Sequence, residues 1–165
     1  MEADLHENQG RLINADRTGR IMSASLRILV VADVSPSVVR GGAERVLWEQ
    51  ASGLRRLGHR VRILSRCPAG EVTGTVEREG VPIQHYPSDR RSSLRFLLGS
   101  ILHARRAVAR ITAEEHFDVL HMHQPLSGYG AFLARRDKMP PSLYTFHSPA
   151  PLEYISRRGM TAHHL

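Results

Sequence analysis

Three stretches of the 165-residue chain carry residue types and spacings that could do chemistry. In Arg40-Gly41-Gly42-Ala43-Glu44-Arg45, paired glycines let a backbone approach a ligand closely. A helix starting there would offer free N–H groups and the positive end of its dipole to a phosphate or carboxylate. The same glycines could equally serve a plain turn between strand and helix. The stretch matches neither G-x-G-x-x-G nor G-x-x-x-x-G-K-[ST], so dinucleotide binding and P-loop hydrolysis lose their main support. In Asp118-Val-Leu-His121-Met122-His123, residues two apart on a strand share a face, so two imidazoles could converge on a ligand. No carboxylate or cysteine follows at metal-site spacing, so strand-end packing or substrate hydrogen bonding is favoured over zinc, and no metal is expected. In Thr145-Phe146-His147-Ser148, His147 would close a strand where an acid, base or donor is useful, although a lone histidine is more often structural.

A fourth feature is a basic stripe, Arg95, Gly99, His103, Arg106 and Arg110, beside the apolar face of a long helical pattern. Basic amphipathic helices lie on anionic bilayers or receive acidic partners; the plainer alternative is an ordinary solvated face.

These residues need elements to hold them. Residues 27–32, Arg-Ile-Leu-Val-Val-Ala, are a short β-branched run of the kind buried on both faces of a parallel sheet. Residues 43–57 predict an amphipathic helix facing inward through Val46, Leu47, Gln50, Leu54 and Leu57, with Gly58 as its stop. A strand over 60–65 completes a βαβ unit. Short strands over 72–76 and 81–85 flank a turn, and a long helix over 92–115 is expected to bury Leu94, Leu97, Leu98, Ile101, Ala104, Val108 and Ile111. A strand over 117–122, a helix over 125–138 and a strand over 142–146 follow. Strands alternating with helices predict an α/β fold, a Rossmann-like and mainly parallel sheet with helices on both faces and right-handed crossovers. In such sheets ligands bind at the carboxyl ends of the strands, where the three polar stretches fall. Residues 1–26 are polar and aperiodic and are expected to form a disordered lead, with Met22 as an alternative start.

Composition narrows the partners. Hydrophobic residues make up 41% and charged residues 24%, so a core can form and a disordered or fibrous chain is excluded. Lys+Arg 23 against Asp+Glu 16 gives +7, but Lys138 is the only lysine, a skew that reflects genome composition as much as function. Nucleic-acid binding is not expected, because no recognised motif or aromatic platform accompanies the charge and aromatics are only 5%. Cys67 is the only cysteine, so no intrachain disulfide forms and a cytoplasmic setting is the default. No run approaches the roughly 18 apolar residues of a membrane span, and no signal-peptide core opens the chain.

Taken together, Arg27-Ile-Leu-Val-Val-Ala-Asp33, Gly41-Gly-Ala-Glu-Arg45, Leu54-Arg-Arg-Leu-Gly-His-Arg-Val61, Glu79-Gly-Val81, Phe117-Asp-Val-Leu-His-Met-His123 and Tyr144-Thr-Phe-His-Ser148 resemble the N-terminal half of the retaining GT-B glycosyltransferases of family 4. The resemblance covers residues 27–159 and implies one incomplete GT-B half, an acceptor-side domain, with 160–165 as a tail. It implies hexosyl transfer from a nucleotide sugar to a glycan or lipid-linked acceptor, with retention and with no cofactor beyond the donor substrate. Gly41 and Gly42 would lie near the donor diphosphate and His147 at the reaction centre as the catalytic residue. His123, Glu44 and Ser148 would stand on the acceptor side. Arg95, Arg106 and Arg110 would face an anionic membrane at the inner face of the plasma membrane, in a cell-envelope pathway. The family's acidic E-x(7)-E motif and donor domain have no counterpart in the chain, so a separate donor domain is an expected partner and the chain alone is expected to be inactive. The alternative is a non-enzymatic Rossmann-like module that binds an anion or a membrane.

Overall fold

The computed structural model describes residues 13–15, 21–23, 25–134 and 139–146. Its centre is a six-stranded sheet. In chain order the elements are β1 (Ile13–Ala15), β2 (Ile21–Ser23), β3 (Arg27–Ala32), α1 (Gly42–Arg56), β4 (Arg60–Arg66), β5 (Thr75–Arg78) and β6 (Val81–Tyr86). They continue with α2 (Ser93–Glu114), β7 (Val119–His123), α3 (Pro125–Leu133) and β8 (Ser142–Thr145). The strands lie in the order β5-β6-β4-β3-β7-β8, parallel throughout except for β5, which pairs antiparallel with β6. The chain works outward from β3 to β4 and β6, then crosses back to β7 and β8 on the other side. That reversal opens a crevice between the carboxyl ends of β3 and β7, the place where doubly wound sheets take ligands.

Because β3 is central, its alternate residues feed two cores. Ile28, Val30 and Ala32 pack with Leu47, Trp48 and Ala51 of α1, while Leu29 and Val31 pack with Ala104, Val108 and Ile111 of α2 and Ala131 of α3. Helices therefore cover both faces, as the alternating pattern predicts. α2 and α3 touch at Gly130, where a Cβ would stand 2.5 Å from the Ile101 carbonyl oxygen and 2.9 Å from the Ala104 Cβ. The β5–β6 hairpin turns through Glu79 and Gly80, both at positive φ (47° and 75°), the backbone of a two-residue type I′ turn.

Several elements differ from expectation for identifiable reasons. α1 buries Leu47, Trp48, Ala51 and Ser52, whereas Val46, Gln50 and Leu57 are exposed; the large Trp48 ring turns the buried stripe by one position. α2 buries Ser100, Ala104, Val108 and Ile111 but leaves Leu94, Leu97 and Leu98 exposed. A helix of 22 residues is about 33 Å long and overhangs strands of about 20 Å, so its first turns have no sheet beneath them. The strand expected over 72–76 is Thr75–Arg78, set by its register with β6, and Val72 lies exposed outside it. α3 is described over Pro125–Leu133, and residues 135–138 of the expected helix lie outside the described residues. Within the stretch expected to be a disordered lead, β1 and β2 form an antiparallel pair separate from the main sheet, consistent with the β-branched Ile13 and Ile21 they contain.

Candidate functional site

The carboxyl rim of the sheet is organised around Asp33, the first residue after β3. Its Oδ2 accepts the Leu126 backbone N–H and its Oδ1 accepts that of Ser127, each at 3.0 Å, so one carboxylate caps the first turn of α3. The Tyr86 hydroxyl donates to Oδ1 at 3.3 Å, and Arg66 Nη1 stands 3.9 Å away. Burial pushes the Asp33 carboxyl above the usual carboxylate range, against the pull of Arg66 and of the three hydrogen bonds.

Next to it, the loop that leads to the glycines is tied down from two sides. His85 Nε2, at the end of β6, lies 2.9 Å from Ser35 Oγ and 3.4 Å from Ser37 Oγ, and Arg78 Nη1 donates to the Pro36 carbonyl at 2.7 Å. Burial lowers the pKa of His85, which favours the neutral imidazole, and its enclosed Nδ1 has no hydrogen-bond partner among the described residues. Arg78 also stacks over Trp48 of α1 at 4.0 Å from the ring centroid, locking the loop to the helix it precedes.

Gly41 is the N-cap of α1 and supplies no side-chain cap, so the first-turn N–H groups open toward the rim. Its backbone is extended (φ −157°), a conformation any residue adopts, and a Cβ on Gly42 would meet nothing within 4 Å. A Cβ on Gly41 would stand 3.3 Å from Glu44 Oε2, a side-chain end that can move. Glu44, in the same turn, shares with Asp33, Arg40, Arg66 and Arg90 the wall of a cavity of about 150 Å³.

Other expected residues fall elsewhere. His123 is 0% exposed, its ring centroid 4.3 Å from that of His121, so it stands inside the protein and not on the acceptor rim. The period of two sends residues 119, 121 and 123 to the face that carries the α1 core, below the surface. His121 Nε2 reaches Thr145 Oγ1 at 2.6 Å, tying β7 to β8, and among the described residues no third ligand-type side chain joins the pair to make a metal site. His147 and Ser148 lie outside the described residues; β8, the strand that leads to them, ends at this same rim. Arg95, Arg106 and Arg110 are exposed on α2, and the last two line a separate cavity of about 210 Å³ with Gln84 and His103.

Asp33, Arg66, His85, Arg90 and Gln124 are rim residues that sequence reasoning passed over. Asp33 had a signal, an acid ending an apolar strand. The arginines had none in a chain where arginine supplies nearly all positive charge.

A family model described as a glycosyl transferase 4-like domain matches residues 41–164, from the glycine turn onward. The chain belongs to this family. It is 34% identical over 116 residues to the phosphatidyl-myo-inositol mannosyltransferase of Mycolicibacterium smegmatis, covering 67% of this chain and 28% of that protein. It is 29% identical over 122 residues to the D-inositol 3-phosphate glycosyltransferase of Actinosynnema mirum, covering 70% and 29%. The chain thus spans less than a third of the curated relatives it matches. Among solved structures, sucrose-phosphate synthase from Thermosynechococcus elongatus superposes with a TM-score of 0.62 at 17% identity, over 78% of this chain and 35% of that one. That likeness establishes the fold: an α/β half of the GT-B type. No described helix is long and apolar enough to cross a membrane.

Proposed function

We propose that this chain supplies the acceptor-side half of a retaining glycosyltransferase that moves a hexose from a nucleotide sugar to an inositol-bearing or other lipid-linked or glycan acceptor. The observation that carries this reading is the family match beginning at Gly41, at the helix end that opens onto the carboxyl rim. The inositol in the acceptor comes from the names of the two relatives. A donor-binding domain, in another segment or chain, faces this rim.

In the reaction the bond between the sugar's anomeric carbon and the diphosphate breaks, and an acceptor hydroxyl bonds to that carbon as its proton passes to an oxygen of the departing diphosphate. The N–H groups at Gly41 and Gly42 and the positive end of α1 stabilise charge growing on the departing diphosphate. His147 stands at the reaction centre, with Glu44 and Ser148 orienting acceptor hydroxyls, and His123 shapes the wall behind them. The nucleotide sugar is substrate, and no resident metal or further cofactor takes part. The non-enzymatic alternative is disfavoured by the family membership.

A peripheral membrane contact fits the surface of α2. Leu94, Leu98 and Leu102, four residues apart, expose an apolar row beside Arg95 and Arg106, the pairing that seats a helix on anionic lipid. Such a contact would hold the protein on the cytoplasmic face of the plasma membrane.

The test joins the chain to a donor-side half of the same family and assays transfer from labelled nucleotide sugars to inositol phosphates and phosphatidylinositol. Transfer that disappears in His147→Ala is expected. A folded, joined protein that transfers nothing from any nucleotide sugar would overturn the reading.

A further inference from the structure

The amino pole of the sheet, at the end opposite the carboxyl rim, gathers positive charge that the fold positions but does not neutralise. The last turn of α1, the chain entering β4 and the turn of the β5–β6 hairpin enclose a cavity of about 500 Å³, lined by Arg55, Arg56, His59, Arg60 and Glu79 with the buried Ser52. Three of its four basic side chains are fixed by neighbours that carry no charge. Arg55 lays its guanidinium on the hairpin turn, where a Cβ on Gly80 would collide with it, so the glycine that gives the turn its positive φ also makes room for the arginine. Arg56 Nη1 donates to Ser52 Oγ at 3.3 Å. His59 Nδ1 accepts the Leu26 backbone N–H at 3.3 Å, which leaves the proton of the neutral ring on Nε2 as a donor. Arg55, Arg56, Arg60 and Glu79 form no ion pair among the described residues.

A solvated face lets like charges spread apart, whereas these are held around one concavity. The negative end of α1 supplies about half a charge against them, and with Glu79 it leaves the three arginines an excess of roughly one and a half positive charges. The cavity has the size of small-molecule sites, about 300–1,000 Å³, but among the described residues no aromatic or large aliphatic side chain lines it, so it offers nothing to a nucleobase or an acyl chain. Guanidinium forks and an imidazole N–H instead match oxyanions. We infer that the amino pole binds a compact, non-aromatic polyanion, a polyol or sugar bearing at least two phosphoryl or carboxyl groups, at a site separate from the substrates. α1 runs from Gly42 at the rim to Arg56 at this cavity, about 22 Å, so no substrate seated at the rim reaches both ends. A ligand here ties the end of α1 to the hairpin turn. The inference goes beyond the glycosyltransferase reading and does not rest on it.

The experiment titrates the full chain at constant ionic strength with pyrophosphate, with citrate and with uncharged glucose, following backbone amide and histidine side-chain NMR signals. At least one of the two anions is expected to shift Gly58, His59 and Gly80 together along one saturating curve, and glucose is not; the tighter anion identifies the ligand's charged groups as phosphoryl or carboxyl. Arg55→Gln and Arg60→Gln, both at exposed side chains, should each weaken that binding about tenfold. Arg110→Gln, an equal change of charge on α2, should leave it unaltered. Saturable shifts at Gly41 and Gly42 without any at Gly58 and Gly80 assign the anion to the rim and overturn the inference, as do equal losses in all three variants. Polyglutamate that shifts Gly58 and Gly80 where neither small anion does also overturns it and gives the pole to an acidic protein. Saturable binding at the amino pole with no transfer in the joined protein leaves this site standing and removes the glycosyltransferase reading.

Discussion

Asp33 and Gln124 clasp each other across the β3–β7 crevice: the Asp33 N–H donates to Gln124 Oε1 at 2.9 Å, and the Asp33 carboxylate caps the helix that Gln124 begins. Gln124 holds φ at +61°, a left-handed backbone that favours glycine, so the clasp also holds strain at the rim. Removing the carboxylate should loosen the α3 cap and leave Arg66 without its nearest counter-charge. Asp33→Ala is expected to cost about 2–4 kcal/mol, combining a lost cap with a partly buried unpaired charge. Urea unfolding measures it, and a loss below about 0.5 kcal/mol would show that the clasp does not hold the rim.

His85 gives a pH dependence whose sign follows from burial. Its pKa is lowered in the folded protein, so the unfolded chain binds the proton more readily. Its contribution is fully present above the unfolded value of about 6.5 and is lost as pH falls through the folded one. Stability should therefore decline from pH 7.5 toward 5.5, and His85→Gln should flatten that decline. Asp33, shifted upward, works in the opposite sense: its contribution is largest below the unfolded value and falls as pH rises through the folded one. The difference between parent and His85→Gln isolates the histidine; parallel pH curves would refute its assignment.

Two glycines should separate structural from functional roles. In Gly130→Ala the new methyl would collide with the Ile101 carbonyl, so α2 and α3 must part, at a cost of about 1–3 kcal/mol. Gly42→Ala meets open space in the first turn of α1 and should be neutral or stabilising by up to about 1 kcal/mol. In the joined enzyme, Gly42→Ala is nonetheless expected to slow transfer, because its methyl points where a diphosphate would approach. Full activity there would reduce the glycine pair to a plain turn.

Local patterns made much of the fold legible. The run Arg27–Ala32 reads as a buried strand because both neighbours and both faces demand apolar residues, and the structure gives it those bounds. The faces of α1 and α2 were misread because periodicity does not say how far the sheet extends beneath a helix or where a tryptophan will turn it. The rim was harder still. Asp33 finds its partners 91 to 94 residues away, and Arg66 meets Phe96 only after α2 folds back over the sheet, so no local spacing announces either. The glycine turn was legible because its chemistry is local to one helix end.

The exposed row on α2 bears on where the protein works. Leu94 is 65% exposed and Leu98 and Leu102 more than 40%, so replacing all three by serine leaves the core clusters intact and should cost about 1–2 kcal/mol, mostly in helix propensity. The same change should abolish co-sedimentation with vesicles containing phosphatidylserine if α2 lies on lipid. Arg95→Gln with Arg106→Gln should weaken binding chiefly at low salt, because each exposed charge contributes through the anionic surface potential and is screened within about 8–10 Å at physiological ionic strength. Binding that persists in the serine variant, or that ignores anionic lipid content, would move the membrane contact off this helix and leave its leucines to meet another protein surface.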